Sequence, residues 1–140
     1  MPLYGHEISE EINVFEGGLD RWLKLDKGEF IGRDALLAEQ ASGGPRRRII
    51  GLEMVDRGIA RDGYPVLDLD GNQIGAITSG SPAPFLKTNI ALALVPAPVA
   101  AAGQAALNQA SMGQELLVQV RANQVRARQV PLPFYKRAKR

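Results

Sequence analysis

The sequence predicts a mainly β protein, a small six-stranded barrel or sandwich following a short α+β segment. Three observations carry this. Ser42-Gly43-Gly44-Pro45 is the sharpest break in the chain, one helical run precedes it, and six short apolar runs separated by turn residues follow it. With 140 residues there is room for one domain, or one domain and a flanking piece, and 45% apolar residues suffice for a core.

In chain order, Gly18–Asp26 alternates as a strand would, with Leu19, Leu23 and Leu25 on one face. Asp26-Lys27-Gly28 then reads as a turn. From Gly32 to Ala41 the residues are good helix formers, and Ser42-Gly43-Gly44-Pro45 stops them with glycine for a left-handed cap and a proline that cannot continue. Strands are expected at Arg47–Met54, Tyr64–Leu69, Asn72–Ser79, Ile90–Val95, Glu115–Arg121 and Val125–Val130. The fourth is apolar throughout and fits burial on both faces; the fifth alternates, with Leu116, Val118 and Val120 inward. Asp70-Gly71 marks one hairpin, and Asn123-Gln124 a second. Alanine-rich Ala100–Ala110 fits either two helical turns or a loop.

Composition excludes several classes. No apolar run reaches the roughly eighteen residues a membrane helix needs, and Met1–Glu7 has neither the basic nor the apolar region of a signal peptide. The absence of cysteine removes disulfides, thiolate metal sites and thiol nucleophiles, and is compatible with a cytoplasmic location. Nine of the 15 acids lie between Glu7 and Glu39, whereas the last twenty residues carry seven Lys or Arg. That basic end could hold phosphates or neutralise an acidic surface or an anionic ligand of its own protein, and a solvated or intramolecular patch is the preferred reading. Nucleic acid is disfavoured, because only Phe134 and Tyr135 interleave it and no nucleic-acid motif is present.

No self-sufficient catalytic set emerges. Asp68–Asn72 resembles the start of a calcium loop, but its glycine is fourth rather than sixth and position twelve is Ser79, so a hairpin is the better reading. His6 has Glu7 and Glu10 nearby, a weak metal set; a surface or hydrogen-bonded histidine is preferred, and no metal is expected. Ser79 and Ser81 lack a nucleophile elbow, and no phosphate-cradling glycine loop occurs. Arg57 and Arg61 lie in one glycine-containing loop, where a guanidinium is either solvated or docked on a carboxylate elsewhere.

Eight segments taken in order resemble the glycine-cleavage T-protein family of aminomethyltransferases. They are Met1–Ile8, Phe15–Leu19, Leu25–Leu36, Asp56–Arg61, Gly63–Val66, Ile77–Gly80, Asn89–Pro96 and Leu132–Tyr135. Each is modest alone; eight in the family's order over nearly the whole chain are specific. The match is to the C-terminal two-fifths or so of that enzyme. It implies that residues 45–140 form a Greek-key or jelly-roll β-barrel and that residues 1–44 end the folate-binding α/β region. An apolar face involving Leu19, Trp22, Leu23, Phe30 and Leu36 is then expected to lie open.

The resemblance also implies an activity: transfer of a one-carbon unit from the aminomethyl-lipoyl H protein to tetrahydrofolate, with release of ammonia. The family's acid and most folate contacts lie in its N-terminal domains, so no catalytic residue is assigned to this chain. By position after Pro133-Phe134-Tyr135, Arg137 is the residue expected to meet the glutamate tail of folate, with Tyr135 as its hydrogen-bonding neighbour. Arg61, Thr78, Ser79 and Gly80 are expected to brace the barrel against the rest of the enzyme. The stretch Ala97–Gln114 is longer than the family's usual pattern. Alternatives are a non-catalytic docking or regulatory barrel and a fragment of a related folate-dependent demethylase or oxidase.

Overall fold

The computed structural model describes residues 2–110 and 113–136, with the side chain of Ala110 excluded. Six strands follow the break at Pro45: β1 (Arg47–Met54), β2 (Pro65–Leu67), β3 (Gln73–Ala83), β4 (Thr88–Pro96), β5 (Glu115–Val120) and β6 (Asn123–Val130). They close into a barrel in the order β1-β4-β3-β2-β5-β6, every pairing antiparallel. Strands β2, β3 and β4 are hairpin neighbours and β5 returns beside β2, which is a Greek key. Closure leaves no sheet edge open.

Period-two alternation builds the core. Ile50, Leu52 and Met54 of β1 meet Ala91, Ala93 and Val95 of β4, with Val66, Ile77, Leu116, Val118, Val125 and Ala127 from the other strands. Small alanines on β4 sit beside the larger β1 residues in register, Ala93 with Ile50 and Ala91 with Leu52, which lets the inward side chains fit a narrow barrel. Leu52, Leu116 and Val118 are completely buried.

The first hairpin turns where its residues suggest. The Asp68 carboxylate accepts from the amides of Asp70 and Asn72 at 3.0 and 2.8 Å and from Asn72 Nδ2 at 3.0 Å. The second turn differs: Val120 pairs with Asn123, so the two-residue turn is Arg121-Ala122, with Arg121 at φ 57°. An arginine in the left-handed region carries no turn signal, whereas Asn123-Gln124 does, and the strands extend through it.

Two further expectations change. Gly18–Asp26 is not a strand; Asp20–Trp22 forms a 3-10 turn and the flanks are irregular. Its alternation has no neighbouring strand to pair with, and the closed barrel offers no edge. The loop alternative for the alanine-rich stretch fails as well, because Ala97–Ala110 is one continuous helix, α2, within the β4–β5 return connection. Proline at Pro98 is tolerated in the first turn, and alanine supplies the propensity. The expected helix is present as α1 (Arg33–Ala41), stopped by Ser42 and the left-handed Gly43 and Gly44.

Residues 18–44 contain no buried residue, although Phe15, Glu16 and Gly17 just before them and Pro45 just after are buried. Of the five side chains expected on an open apolar face, Trp22 is 70% exposed, while Leu19, Leu23, Phe30 and Leu36 are half-buried. Ile31, Leu3 and Tyr4 are exposed in addition.

Candidate functional site

The residues singled out from sequence gather mainly where the N-terminal segment meets β3. The turn at Gly5 brings Glu7 back onto its own chain, so that the Leu3 amide donates to Glu7 Oε2 at 3.0 Å. Its other oxygen accepts from Thr78 Oγ1 at 2.8 Å, 71 residues away on β3. Glu7 is 1% exposed. Burial pushes its carboxyl up, but hydrogen bonds from Ser79, Thr78 and the Leu3 amide, with the charge of His6, outweigh it and hold it below the usual carboxylate range. His6 lies over the same strand, with Nδ1 3.1 Å from the Thr78 carbonyl oxygen and 3.5 Å from an Asp62 carboxylate oxygen. Thr78 therefore ties the N-terminal segment to the barrel through its hydroxyl.

Gly80 serves a different contact. A Cβ there would run into the Ala60 carbonyl, so only glycine lets the 55–63 loop lie this close to β3. Ala60 is buried, and Asn89 Nδ2 donates to the Gly58 carbonyl at 2.7 Å, fixing the same loop from β4. The loop is closed at its start by Arg126, which makes a bidentate pair with Asp56 at 2.9 and 3.0 Å. Arg57 and Arg61 extend from this fixed backbone into solvent, and neither guanidinium has an ion pair among the described residues.

A second clasp, which sequence reasoning missed, joins the same segments farther along. Arg47 at the start of β1 pairs with Glu16 through Nε–Oε1 at 2.8 Å and Nη2–Oε2 at 3.2 Å, and also donates to the Glu11 carbonyl at 2.8 Å. The hydrogen bond to Glu16 raises the Arg47 guanidinium above its ordinary value, against burial and with help from the charges of Glu16 and Glu11. The Ile49 amide donates to the Glu16 carbonyl at 2.9 Å, and Asn13 Nδ2 reaches Glu39 on α1 at 2.8 Å. The run from Phe15 to Leu19 already stood out in sequence, but its partners are distant and left no trace there.

At the other end of the chain, Tyr135 is half-exposed, its ring edge-on to Phe85 with centroids 5.0 Å apart. Arg137 lies outside the described residues. Between β1, α2 and the exit of β6 is an open cleft of about 600 Å³, with Arg48, Gln104 and Gln129 among its polar lining. Arg48 is partly engaged by Asp20 at 3.3 Å. Among the described residues no three His, Asp or Glu side chains lie close enough to hold a metal ion, and no helix is long and apolar enough to cross a membrane.

The barrel and its clasped N-terminal segment have clear relatives. The glycine cleavage T-protein C-terminal barrel domain matches residues 47–136. This chain belongs to that family. The aminomethyltransferase of Acidobacterium capsulatum is 56% identical over 140 residues, which is 100% of this chain and 34% of the relative. That of Moorella thermoacetica is 51% identical over the same 140 residues, again 100% of this chain and 35% of the relative. A crystal structure of the glycine cleavage system aminomethyltransferase T from Bartonella henselae superposes with a TM-score of 0.81 at 25% identity, covering 96% of this chain and 35% of that one. The chain thus spans about a third of the length of the family members it matches.

Proposed function

We propose that this chain is the C-terminal part of a tetrahydrofolate-dependent aminomethyltransferase of the glycine cleavage system, acting in the cytoplasm. The complete enzyme moves the aminomethyl group from the lipoyl arm of the H protein to tetrahydrofolate, releasing ammonia and forming 5,10-methylenetetrahydrofolate. One observation carries the reading: identity of 56% sustained over the whole chain with an aminomethyltransferase of which it covers 34%.

In this reading residues 1–44 end the folate-binding α/β region and residues 45–140 are the barrel. The unburied stretch 18–44, with Trp22 70% exposed, supports a surface that the rest of the enzyme covers. Thr78 and Ser79 brace the two parts through Glu7, Gly80 seats the 55–63 loop, and Arg61 reaches from that loop toward a carboxylate of the N-terminal domains. Arg137 meets the glutamate tail of folate, with Tyr135 beside it. No nucleophile, base and orienting group come together among the described residues, so the reactive geometry belongs to the N-terminal domains and the chain alone is inactive.

The test is Arg137→Ala in a protein carrying the family's full length, assayed for methylenetetrahydrofolate formation. The reading expects a KM for tetrahydrofolate raised about tenfold with kcat unchanged, the loss of one charge-assisted contact made equally in ground and transition states. An unchanged KM would remove Arg137 from the site.

A further inference from the structure

Two aspartate–glycine steps occur in the chain, Asp62-Gly63 and Asp70-Gly71, and the fold holds them differently. Both are exposed, and their glycines have positive φ values of 79° and 88°. Such a step is open to an internal reaction, because glycine has no side chain to keep its amide nitrogen away from the neighbouring carboxyl. The nitrogen bonds to the side-chain carboxyl carbon, the N–H proton and the carboxyl hydroxyl leave as water, and a five-membered imide forms. Water then adds at either imide carbonyl, returning aspartate or giving isoaspartate, whose main chain runs through the former side-chain methylene. At Gly63 the nitrogen is tied into the barrel: it donates to the Ile77 carbonyl of β3 at 2.9 Å, and the Ile77 amide donates to the Tyr64 carbonyl at 2.8 Å. The Asp62 carboxylate lies 3.5 Å from His6 Nδ1. At Gly71 the N–H donates only within its own turn, to the Asp68 carbonyl at 3.2 Å. Asp68 rather than Asp70 takes the other donors of that turn, the amides of Asp70 and Asn72 and the Asn72 side chain.

We propose that Asp70-Gly71 is a site of spontaneous isomerisation to isoaspartate, restrained only by the hydrogen-bonded turn around Asp68, and that Asp62-Gly63 is closed to the same reaction by its bond to β3. Opening a turn tip is a local event, whereas freeing Gly63 means breaking a contact with a strand of the closed barrel. The consequence at Asp70 is structural. Strand β2 has three residues, and its last, Leu67, pairs with Gln73 directly above the turn. The added main-chain methylene therefore falls where the shortest strand of the barrel is closed.

The experiment ages the 140-residue chain at neutral pH, folded and in urea, and maps peptides that separate the two steps. Isoaspartate is counted with an isoaspartyl carboxyl methyltransferase and labelled S-adenosylmethionine. In urea both steps should isomerise at similar rates. In the folded chain Asp70 should isomerise about fivefold faster than Asp62 or more, the factor that one hydrogen bond of about 1 kcal/mol supplies. Asp68→Ala should speed the reaction at Asp70 about three- to tenfold and leave Asp62 unchanged, with the circular dichroism of the barrel retained. Should Asp68→Ala unfold the chain, Asn72→Ala, which removes fewer of the turn's bonds, takes its place with the same expected direction. Asp70→Glu should abolish the signal at this step, since its imide would need a six-membered ring. No isoaspartate at Asp70 in the folded chain, or equal rates at Asp62 and Asp70 there, overturns the assignment. An unchanged rate at Asp70 when the turn's bonds are removed overturns the restraint by Asp68.

Discussion

Glu7→Ala offers the most quantitative handle on the clasp between the N-terminal segment and the barrel. The substitution removes the acceptor of the Thr78 hydroxyl and of the Leu3 amide. Leu3 is 61% exposed, so water can replace part of its bond, but Thr78 is 7% exposed and its hydroxyl is left without a partner. A hydrogen bond to a charged group contributes about 1.5–3 kcal/mol, and a stranded buried donor costs about 1–3. The two figures overlap for the Thr78 bond rather than add, and with the weaker Leu3 bond included the loss is about 2–4 kcal/mol. With roughly 2.1 cal/mol/K of unfolding entropy per residue, a chain of 140 residues loses about 3.4 °C of Tm per kcal/mol, hence about 7–14 °C. Thermal unfolding by circular dichroism measures this directly. Glu7→Gln, which keeps an acceptor, should lose about half as much. A double-mutant cycle with Thr78→Val should give a coupling of about 1.5–3 kcal/mol. A Tm change below about 2 °C in Glu7→Ala, or zero coupling, would refute the clasp.

Other consequences follow from the same contacts. Because the Glu7 carboxyl is held below its ordinary value of 4.5, the unfolded chain binds the more protons as pH falls through that range. Its stabilisation is therefore complete above the unfolded value and is lost as pH drops through the folded one; urea midpoints should show this loss, and Glu7→Gln should lack it. Arg47→Met leaves the largely buried Glu16 unpaired. Since Arg47 itself is partly exposed, the cost should be about 1–2 kcal/mol by urea unfolding rather than that of a fully buried pair. Leu52→Ala, at a completely buried barrel position, should cost about 3 kcal/mol by the same measurement. Trp22→Ser should change the stability of this chain by less than about 0.5 kcal/mol, while weakening its association with the folate-binding domains in a pull-down.

The barrel was readable because alternation along Arg47–Met54 and Glu115–Val120 records the inward face directly, and the Asp68–Asn72 turn carries its own hydrogen-bonding chemistry. Gly18–Asp26 shows the limit of that signal. Alternation describes one strand, but a strand exists only with a neighbour, and none is available to it. The Arg121-Ala122 turn was invisible because arginine adopts a positive φ here only under the demands of the β5–β6 pairing. The clasps are the deepest omission. A glutamate in a polar segment looks solvated, and nothing local to Glu7 or Glu16 announces a partner 71 or 31 residues away. Thr78 and Ser79 stood out only through family resemblance, without their partner.

The most direct test of the account is to purify the protein carrying this sequence from its native cells, with whatever accompanies it, and supply aminomethyl-lipoyl H protein and tetrahydrofolate. The account predicts stoichiometric ammonia and 5,10-methylenetetrahydrofolate, with no activity from the isolated 140 residues. A preparation that contains the folate-binding domains and still transfers no one-carbon unit would contradict it.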